Sequence, residues 1–189
     1  MKTEKEKMLA GEIYDCGDPA LLARWHKAKE LQRAYNQADT MDEAYQNTLL
    51  DQLIGKRGEQ VTLAAPIFVD YGENIILGRN VEINMNCVFL DCNTITIGDY
   101  TGIGPGVHIY AVGHPVNPAE RLSEGSKFWK SYTAPVTIGR NVWIGGGAII
   151  LPGVTIGDNT TIGAGSVVSK SIPANCLAVG NPCKVIKNL

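Results

Sequence analysis

The segment 136–171 reads VTIGRN-VWIGGG-AIILPG-VTIGDN-TTIGAG-SVVSKS, six hexapeptides in a single register. The third position of every hexapeptide is aliphatic, at Ile138, Ile144, Ile150, Ile156, Ile162 and Val168. A helix turns every ~3.6 residues, so a period of six would spread these side chains around its whole circumference. Short strands joined by tight turns keep them on one side. The pattern therefore predicts a parallel β-helix, in which stacked coils bury the aliphatic side chains that a single repeat would leave exposed.

A second period, of eighteen residues, relates groups of three hexapeptides. It pairs Ile138 with Ile156, Ile144 with Ile162 and Ile150 with Val168. It also pairs the turn residues Gly139 with Gly157, Asn141 with Asn159, Gly145 with Gly163 and Gly147 with Gly165. Three hexapeptides therefore form one coil, and like residues stack along its axis. Because glycine and asparagine tolerate a positive φ, we expect sharp corners at these turns.

Upstream, the same spacing is present but less regular. Leu77, Ile83 and Phe89 are six residues apart, and after a slip of two residues the spacing resumes at Ile97, Ile103 and Ile109. The register then breaks, at about 112–135, before it returns at Val136. Long excursions from a strict repeat are typically functional, because loops carry function on a rigid scaffold. We expect this loop to leave from the third corner of a coil.

The region before the repeats is predicted to be helical. Asp18-Pro19 is an N-cap followed by a first-turn proline, which begins a helix with one apolar stripe. Thr40 to Glu43 matches the capping box S/T-x-x-E and predicts the start of a second helix. The apolar positions of the two helices are Leu21, Leu22, Trp25, Ala28 and Leu31, then Met41, Tyr45, Leu49 and Leu53. Two such helices form an αα-hairpin, which we expect to pack on the first coil.

The predicted fold class is mainly β, in one structural unit with three segments. Residues 1–58 form an N-terminal helical segment. Residues 59–180 form the β-helix, interrupted by the excursion at about 112–135, and residues 181–189 form a C-terminal tail.

Composition limits the classes of partner. The chain has 189 residues and a formal net charge of −2, so nothing electrostatic favours nucleic acid or a membrane surface. No apolar run approaches the ~20 residues that span a bilayer, and the opening MKTEKEKMLAGE does not have the pattern of a signal peptide. The five cysteines are odd in number and lack a C-x-x-C pair. They therefore indicate reduced thiols in a cytoplasmic protein.

Three histidines are the candidates for acid–base chemistry. His26 lies on the first predicted helix, where a surface or packing role is expected. His108 precedes the core position Ile109, so its side chain should point outward, and we expect a structural role. His114 opens the excursion between glycine and proline. A histidine held on such a rigid corner is suited to be a general base near neutral pH.

Several motifs together resemble the maltose/galactoside O-acetyltransferases, a branch of the hexapeptide-repeat acyltransferases. They are the opening EKEKMLAGE, the segment DYGENI, the loop start YAVGHPVNP, the motif NVWIGG and the ending VGNPCKVIK. The resemblance implies a left-handed parallel β-helix, a handedness that the residues alone do not give, because ordinary parallel crossovers are right-handed. It also implies acetyl-CoA as acetyl donor, a sugar hydroxyl as acceptor, no required metal, and a homotrimer with active sites shared between subunits. The loop of one chain would then cover its neighbour.

The resemblance assigns roles to individual positions. His114 matches the catalytic histidine, which deprotonates the acceptor hydroxyl for attack on the thioester and then protonates the leaving thiolate. Asn84 matches an asparagine beside the acceptor sugar, and the main-chain N–H of Gly146 matches a donor that faces the thioester carbonyl. The positions that match the CoA groove and its phosphate contacts are Ala164, Ser169, Lys170, Lys184 and Lys187. Trp143 belongs to the same motif, with plain packing as the alternative.

The acceptor side departs from the galactoside branch. The positions that hold the acceptor there align with Cys16, Asp70 and Cys92, and a thiol does not accept strong hydrogen bonds from sugar hydroxyls. Asp15 and Asp91 lie next to these cysteines and are therefore candidates for the same task. The loop is also longer than usual, and its additional aromatics Phe128, Trp129 and Tyr132 would either stack on an acceptor or pack the loop.

Three alternatives remain open. An antibiotic O-acetyltransferase would share fold, donor and base, and would differ only at the acceptor. A zinc enzyme of the γ-carbonic-anhydrase kind needs three histidine ligands, and His108 and His114 supply two at most. A non-catalytic solenoid would bind no acetyl-CoA.

Overall fold

The computed structural model describes residues 2–122 and 128–189. The helices in this part of the chain are α1 (Glu4–Leu9), α2 (Pro19–Gln37), α3 (Glu43–Leu53) and α4 (Pro118–Arg121). The first strands are β1 (Lys56–Arg57), β2 (Thr62–Leu63), β3 (Ile67–Val69), β4 (Ile75–Leu77), β5 (Glu82–Ile83), β6 (Cys87–Leu90), β7 (Ile95–Ile97), β8 (Gly102–Ile103), β9 (His108–Tyr110) and β10 (Val112–Gly113). The later strands are β11 (Tyr132–Thr133), β12 (Val136–Ile138), β13 (Trp143–Ile144), β14 (Ile149–Ile150), β15 (Thr155–Ile156), β16 (Thr161–Ile162), β17 (Val167–Val168), β18 (Cys176–Val179) and β19 (Lys184–Asn188).

These strands form three parallel sheets, which are the three sides of a left-handed β-helix. Sheet A has the order β1-β4-β7-β12-β15, and sheet C has the order β3-β6-β9-β14-β17. Sheet B runs β2-β5-β8-β13-β16-β18 and ends with β19, which is antiparallel to β18. The chain visits A, B and C in turn, so every coil has a first corner (A to B), a second corner (B to C) and a third corner (C to A).

The register confirms the predicted period of eighteen. Ile138 pairs with Ile156 in sheet A, and the corresponding pairs in sheets B and C are Ile144 with Ile162 and Ile150 with Val168. The six third-position side chains are at most 1% exposed. Complete burial of an aliphatic side chain stabilises the folded state by roughly 1.5–3 kcal/mol, so this ladder is the main source of stability along the axis.

The corner residues follow the prediction only in part. Asn141 and Asn159 have φ of 53° and 55°, and Gly147 and Gly165 have φ of 70° and 68°, as expected of sharp corners. The other four matched glycines are not at positive φ, so the predicted reason was wrong for them. Gly145 illustrates the actual reason, which is close packing of coils: a Cβ there would lie 2.5 Å from the main-chain nitrogen of Ala164.

The helical segment caps the open end of the β-helix. The Asp18-Pro19 start is confirmed, since the Asp18 carboxylate accepts the N–H groups of Ala20 and Leu21. The side-chain amide of Asn36 then pairs with both main-chain groups of Ile67 (2.8 and 2.9 Å), on the edge strand β3. Because an uncovered strand edge is a site of aggregation, this pairing protects the first coil.

The predicted capping box of the second helix was wrong. The helix α3 begins two residues later than predicted, and its N-cap is Asp42, whose carboxylate accepts the Tyr45 N–H at 3.0 Å. Met41, predicted to be apolar and helical, precedes the helix and is 87% exposed. Aspartate is at least as favourable as threonine at the N-cap position, and in this helix Asp42 is the N-cap in place of Thr40.

The division into segments stays a prediction, with two structural qualifications. The strand β1 lies inside the segment predicted to be helical and pairs with β4 in sheet A. The strand β19 lies in the predicted tail and pairs with β18, so the C-terminal residues cover the last edge of sheet B. Within the excursion, β10 and β11 form an antiparallel hairpin and α4 adds one helical turn, neither of which was predicted.

Candidate active site

The third corner is where the coils differ in length. Between sheets C and A the early coils carry the segments 70–74 and 91–94. Successive core positions across this corner are eight residues apart in the early coils, from Val69 to Leu77 and from Phe89 to Ile97, but six apart from Ile150 to Ile156 in a later coil. The next third corner carries the whole excursion. Main-chain bonds from Ile95 N–H to the Asn74 carbonyl and from Val136 N–H to the Thr94 carbonyl, both 3.0 Å, stack these segments. The slip of two residues in the sequence therefore marks the corner on which the loop rests.

Asp91 is fully buried at the centre of this corner. Its Oδ1 accepts the N–H groups of Asp70 (3.0 Å) and Tyr71 (2.8 Å), and its Oδ2 accepts that of Asn74 (3.3 Å). Burial raises the pKa of Asp91 to about 6, although the main-chain hydrogen bonds oppose the rise. Asp91 was predicted to contact the acceptor, but its oxygens are occupied by the main chain. It positions residues 70–74 instead.

His114 follows directly after β10, at the start of the excursion. Gly113 pairs with Tyr132 in the β10–β11 hairpin, which brings the imidazole next to residues 128–131. These residues lead the chain back to the β-helix, and we call them the returning arm of the loop. Nδ1 lies 2.9 Å from the carbonyl oxygen of Lys130 and 3.5 Å from the Ser131 hydroxyl. A carbonyl oxygen can only accept, so in the neutral imidazole Nδ1 carries the proton and Nε2 has a free lone pair. This is the tautomer that a general base at Nε2 requires.

A cavity of about 430 Å³ adjoins His114, and we call it the acceptor cavity. It is lined by Tyr14, Cys16, Leu22, Trp25, His26, Asp70, Tyr71, Leu90, Cys92, Val112, His114, Phe128 and Ser131. The predicted site residues His114, Asp70, Cys16 and Cys92 therefore come together. Asp15 lines a neighbouring cleft of about 350 Å³, which it shares with Cys16 and Phe128.

The acceptor cavity is largely apolar. Among its lining residues Asp70 supplies the one carboxylate, which lies 3.7 Å from the Lys29 ammonium and accepts from the Cys92 thiol at 3.5 Å. Burial, with a contribution from the nearby Asp70, raises the pKa of the Cys92 thiol. Burial also raises the pKa values of Tyr14 and Tyr71. These three groups are therefore neutral at physiological pH.

Several lining residues were missed by the sequence analysis. Trp25 was predicted only as part of an apolar helix stripe and His26 as a surface or packing residue, yet both line the acceptor cavity. The Lys130 carbonyl, which orients His114, carries no sequence signal because every residue has one. The three aromatic residues of the loop have different surroundings. Phe128 lines the cavity, Trp129 packs edge-on against His114, and Tyr132 pairs with Gly113 in the hairpin.

The remaining predicted residues lie at other places on the β-helix. Asn84 follows β5 at the second corner, and its Oδ1 accepts the N–H of Met85 at 2.9 Å. Gly146 and Ala164 lie two coils and three coils further along this same corner, where Gly165 N–H donates to the Gly146 carbonyl at 3.0 Å. One chain therefore does not bring Asn84 into the acceptor cavity.

The other positions matched to the CoA groove are exposed. Ser169 and Lys170 follow β17 at the third corner of a later coil. Lys184 and Lys187 lie on β19, opposite Val179 and Leu177. Trp143 points outward from β13 and is 52% exposed, while the inner neighbour Ile144 is buried.

Two further findings concern residues 2–122 and 128–189. No three histidine, cysteine, aspartate or glutamate side chains converge there as metal ligands would; His108 bonds instead to the Tyr110 hydroxyl at 2.6 Å. No helix in this part is both long and apolar enough to cross a bilayer. All five cysteines are free thiols.

Comparison with known proteins gives two family matches. Residues 7–58 match the maltose acetyltransferase hexapeptide capping motif, and residues 135–170 match six repeats of the bacterial transferase hexapeptide. A putative acetyltransferase from Dictyostelium discoideum is 48% identical over 99% of this chain and 95% of its own length. Both ends of the chain, and not only the repeats, are thus shared with acetyltransferases.

Solved structures agree over the full length. A maltose O-acetyltransferase from Clostridium difficile 630 superposes with a TM-score of 0.94 and 46% identity, covering 100% of this chain and 98% of that one. A galactoside acetyltransferase in complex with coenzyme A gives a TM-score of 0.93 and 37% identity, covering 100% and 92%. The chain therefore belongs to the maltose/galactoside O-acetyltransferase family of hexapeptide-repeat acetyltransferases.

Proposed function

We propose that this protein transfers the acetyl group of acetyl-CoA to a hydroxyl of a sugar-like acceptor, with His114 as general base. The observation that carries the proposal is the hydrogen bond between His114 Nδ1 and the Lys130 carbonyl, beside a cavity large enough for a sugar ring. Two features of a catalytic histidine are thereby combined: a fixed tautomer and an adjacent substrate volume.

In the proposed reaction, Nε2 of His114 accepts the proton of the acceptor hydroxyl as its oxygen attacks the thioester carbonyl. The tetrahedral intermediate collapses with cleavage of the C–S bond, and the imidazolium returns the proton to the departing thiolate. The Lys130 carbonyl keeps its hydrogen bond to Nδ1–H throughout, so the ring does not turn during proton transfer. A positioned base of this kind accelerates such a reaction by roughly 10²–10⁴-fold.

Acetyl-CoA is the proposed donor, because a similar galactoside acetyltransferase binds coenzyme A. We propose that Trp143, Ala164, Ser169 and Lys170 contact the cofactor and that Gly146 N–H binds the developing oxyanion. In the described part of the chain this N–H donates to no other main-chain group. The exposed ammonium groups of Lys184 and Lys187 suit the phosphates, since lysine is a mobile point charge.

A homotrimer is proposed for a geometric reason. Asn84, the asparagine proposed to lie beside the acceptor, is on a different corner from His114, so a neighbouring chain would have to supply it. Light scattering should then give three times the mass of one chain. A monomer that turns over normally would contradict this part of the proposal. The cytoplasmic location drawn from the cysteines stays a prediction.

For the acceptor, Asp70 is the proposed hydrogen-bond partner, with Cys16, Cys92 and the neighbouring Asp15 at the rim. An aromatic wall formed by Tyr14, Trp25 and Phe128 suits the apolar face of a sugar ring. The apolar character of the cavity also favours a second candidate, a hydroxylated antibiotic. The two candidates differ only in the acceptor, so an acceptor panel separates them.

The experiment measures free thiol release from acetyl-CoA with glucose, maltose, a β-galactoside, chloramphenicol and a streptogramin. Turnover with a sugar supports the main proposal, and turnover with an antibiotic alone supports the second. His114→Ala should bind acetyl-CoA normally and lose more than a hundredfold in kcat, because the group proposed to take the proton of the acceptor hydroxyl is removed. The matched control is His108→Ala, which should keep normal kcat because His108 bonds to Tyr110 outside the cavity.

A further inference from the structure

We infer that Arg121 and Trp129 are positioning residues for His114, which together hold the catalytic tautomer and orientation of its ring. The inference rests on the proposed role of His114 as general base. It concerns two residues of the long excursion: Arg121, to which the sequence analysis gave no role, and Trp129, which was expected to stack on an acceptor or to pack the loop. Their contacts enclose the imidazole from both arms of the loop.

The guanidinium of Arg121 fixes residues 115–116, at the start of the loop, which we call the outgoing arm. Its Nε donates to the carbonyl of Pro115 at 2.8 Å, and its Nη2 donates to that of Val116 at 2.6 Å. These are the two residues that follow His114 directly. A planar guanidinium can bind two neighbouring carbonyls at once, which a single ammonium group does less well.

Arg121 also fixes the returning arm. Its main-chain carbonyl accepts the Lys130 N–H at 2.6 Å, and its guanidinium lies 5.9 Å from the centre of the Trp129 ring. The Trp129 ring in turn meets the His114 ring edge-on, at 5.4 Å between centres and 82° between planes. Lys130, whose carbonyl accepts from His114 Nδ1, is therefore hydrogen-bonded through its N–H to the Arg121 main chain, and the imidazole is packed by Trp129, which the Arg121 guanidinium contacts.

The local sequence explains why Arg121 reaches both arms. The Asn117 side chain accepts the Ala119 N–H at 3.1 Å and donates to Glu120 at 3.0 Å, so Asn117-Pro118 begins the single helical turn α4. This turn reverses the chain and returns Arg121 to the residues next to His114. Arg121 is the last residue of α4, and its side chain therefore lies next to Pro115 and Val116, where the loop begins.

Loss of this arrangement has a defined chemical consequence. Without a fixed acceptor at Nδ1, the imidazole also takes the tautomer protonated at Nε2, which cannot accept a proton from the acceptor hydroxyl. Displacement of the ring adds to this loss, because a shift of ~1 Å in a reacting group can lower a rate by about 10²-fold. We therefore expect Arg121→Ala and Trp129→Ala to lower kcat by about 10- to 100-fold.

The kinetic test compares these variants with conservative ones. Trp129→Phe keeps an aromatic ring against His114 and should retain kcat within about threefold, and Arg121→Lys should give an intermediate loss. The Michaelis constant for acetyl-CoA should change less than twofold in all four, because the proposed cofactor contacts lie elsewhere. Arg33→Ala, at an exposed position of α2, is the control for loss of a positive charge and should behave as wild type.

The second readout is the tautomer itself. Nitrogen NMR of ¹⁵N-histidine-labelled protein distinguishes Nδ1–H from Nε2–H, and only three histidines contribute, so His114→Ala assigns the signal. Wild-type His114 should be in the Nδ1–H form, and Arg121→Ala and Trp129→Ala should shift it toward Nε2–H. If Arg121→Ala fails to fold, Arg121→Lys and Trp129→Phe still give a graded response in both measurements.

The outcomes separate this inference from the proposal on which it rests. A kcat within twofold of wild type together with an unchanged tautomer in Arg121→Ala and Trp129→Ala would overturn the positioning role, while leaving His114 as base. Normal kcat in His114→Ala would instead remove the base. A lowered kcat with an unchanged tautomer and a raised Michaelis constant for acetyl-CoA would also overturn the inference, because it would indicate a general structural effect.

Discussion

Asp91 offers the sharpest test of how the third corner is held, because two substitutions there remove different things. Asp91→Asn removes the buried charge but keeps an oxygen for the N–H groups of Asp70 and Tyr71. Asp91→Ala removes the charge and every acceptor. The comparison therefore isolates the hydrogen bonds from the charge.

The magnitude follows from the contacts. Asp91→Ala leaves the buried Tyr71 N–H, which donates at 2.8 Å, without this acceptor, whereas the Asp70 N–H keeps its main-chain bond to the Phe89 carbonyl at 3.1 Å. An unsatisfied buried N–H costs about 1–3 kcal/mol, so Asp91→Ala should be less stable than Asp91→Asn by about 1–3 kcal/mol. The third bond, at 3.3 Å to Asn74, is lost in both variants and cancels in the comparison.

The charge has its own signature in the pH dependence. Burial raises the pKa of Asp91 from 3.8 to about 6, so the folded chain binds this proton more tightly than the unfolded chain. The contribution of Asp91 to the stability of the wild type should therefore fall as pH rises from about 4 to about 6 and stay level above that. A difference of two pKa units corresponds to about 3 kcal/mol. Asp91→Asn lacks this loss, so its stability relative to wild type should improve by about 3 kcal/mol over that interval.

The assay is urea unfolding at fixed protein concentration, followed by tryptophan fluorescence, at pH values between about 4 and about 7. Other titrating groups are common to the proteins and cancel in the differences. Equal stability of Asp91→Ala and Asp91→Asn would refute the role of the carboxylate as an acceptor for the corner. Parallel pH profiles of Asp91→Asn and wild type would refute the raised pKa.

The remaining predictions concern the ladder, the corners and the cavity. Ile144→Ala should lower the free energy of unfolding by about 2–5 kcal/mol in denaturant titrations, because its side chain is fully buried in the ladder; a loss below 1 kcal/mol would contradict the packed core. Gly147→Ala should cost only about 1–2 kcal/mol, since its φ is 70° but the space beside it is open. Gly145→Ala should cost clearly more in the same titration, because the new Cβ would meet the next coil at 2.5 Å, and the reverse order would refute the close-packing explanation. Asp70→Asn should raise the Michaelis constant of the acceptor by about tenfold and leave that of acetyl-CoA unchanged in the thiol-release assay; equal changes in both would remove Asp70 from acceptor binding.

The architecture could be predicted from the sequence because it depends on a repeat. A period of six with a second period of eighteen allows one strand arrangement and one register, and Ile138 pairs with Ile156 as expected. The slip after Phe89 was also visible. The structural role of this slip could not be predicted, because the identity of the two additional residues does not indicate where they lie. The stacking of the coils shows that 70–74 and 91–94 lie under the loop.

The candidate site was predictable only where it depends on motif and register. His114 stands out as a histidine at the start of a register break, and Asp70 and Cys92 follow from resemblance. Asp91 was misplaced because neighbouring residues on a corner point in opposite directions, one inward and one toward the cavity. The contribution of Trp25 depends on how a helix packs against a distant corner, and no local pattern encodes that.

The helical segment is therefore part of the site and not only a cap. It supplies Tyr14, Cys16, Leu22, Trp25 and His26 to the cavity, which is five of the thirteen lining residues. It is also joined to the loop: the buried Asn93 donates from Nδ2 to the Leu9 carbonyl at 3.2 Å and to the Thr133 hydroxyl at 3.0 Å. The Thr133 hydroxyl in turn donates to the Met8 carbonyl, so α1, the third corner and β11 share one buried polar contact. A rigid β-helix can carry a long insertion at any corner, but here the corner is tied to both the helical segment and the loop, and these ties hold His114 beside the acceptor cavity. The family match at residues 7–58 agrees with this, since that segment recurs together with the hexapeptide repeats.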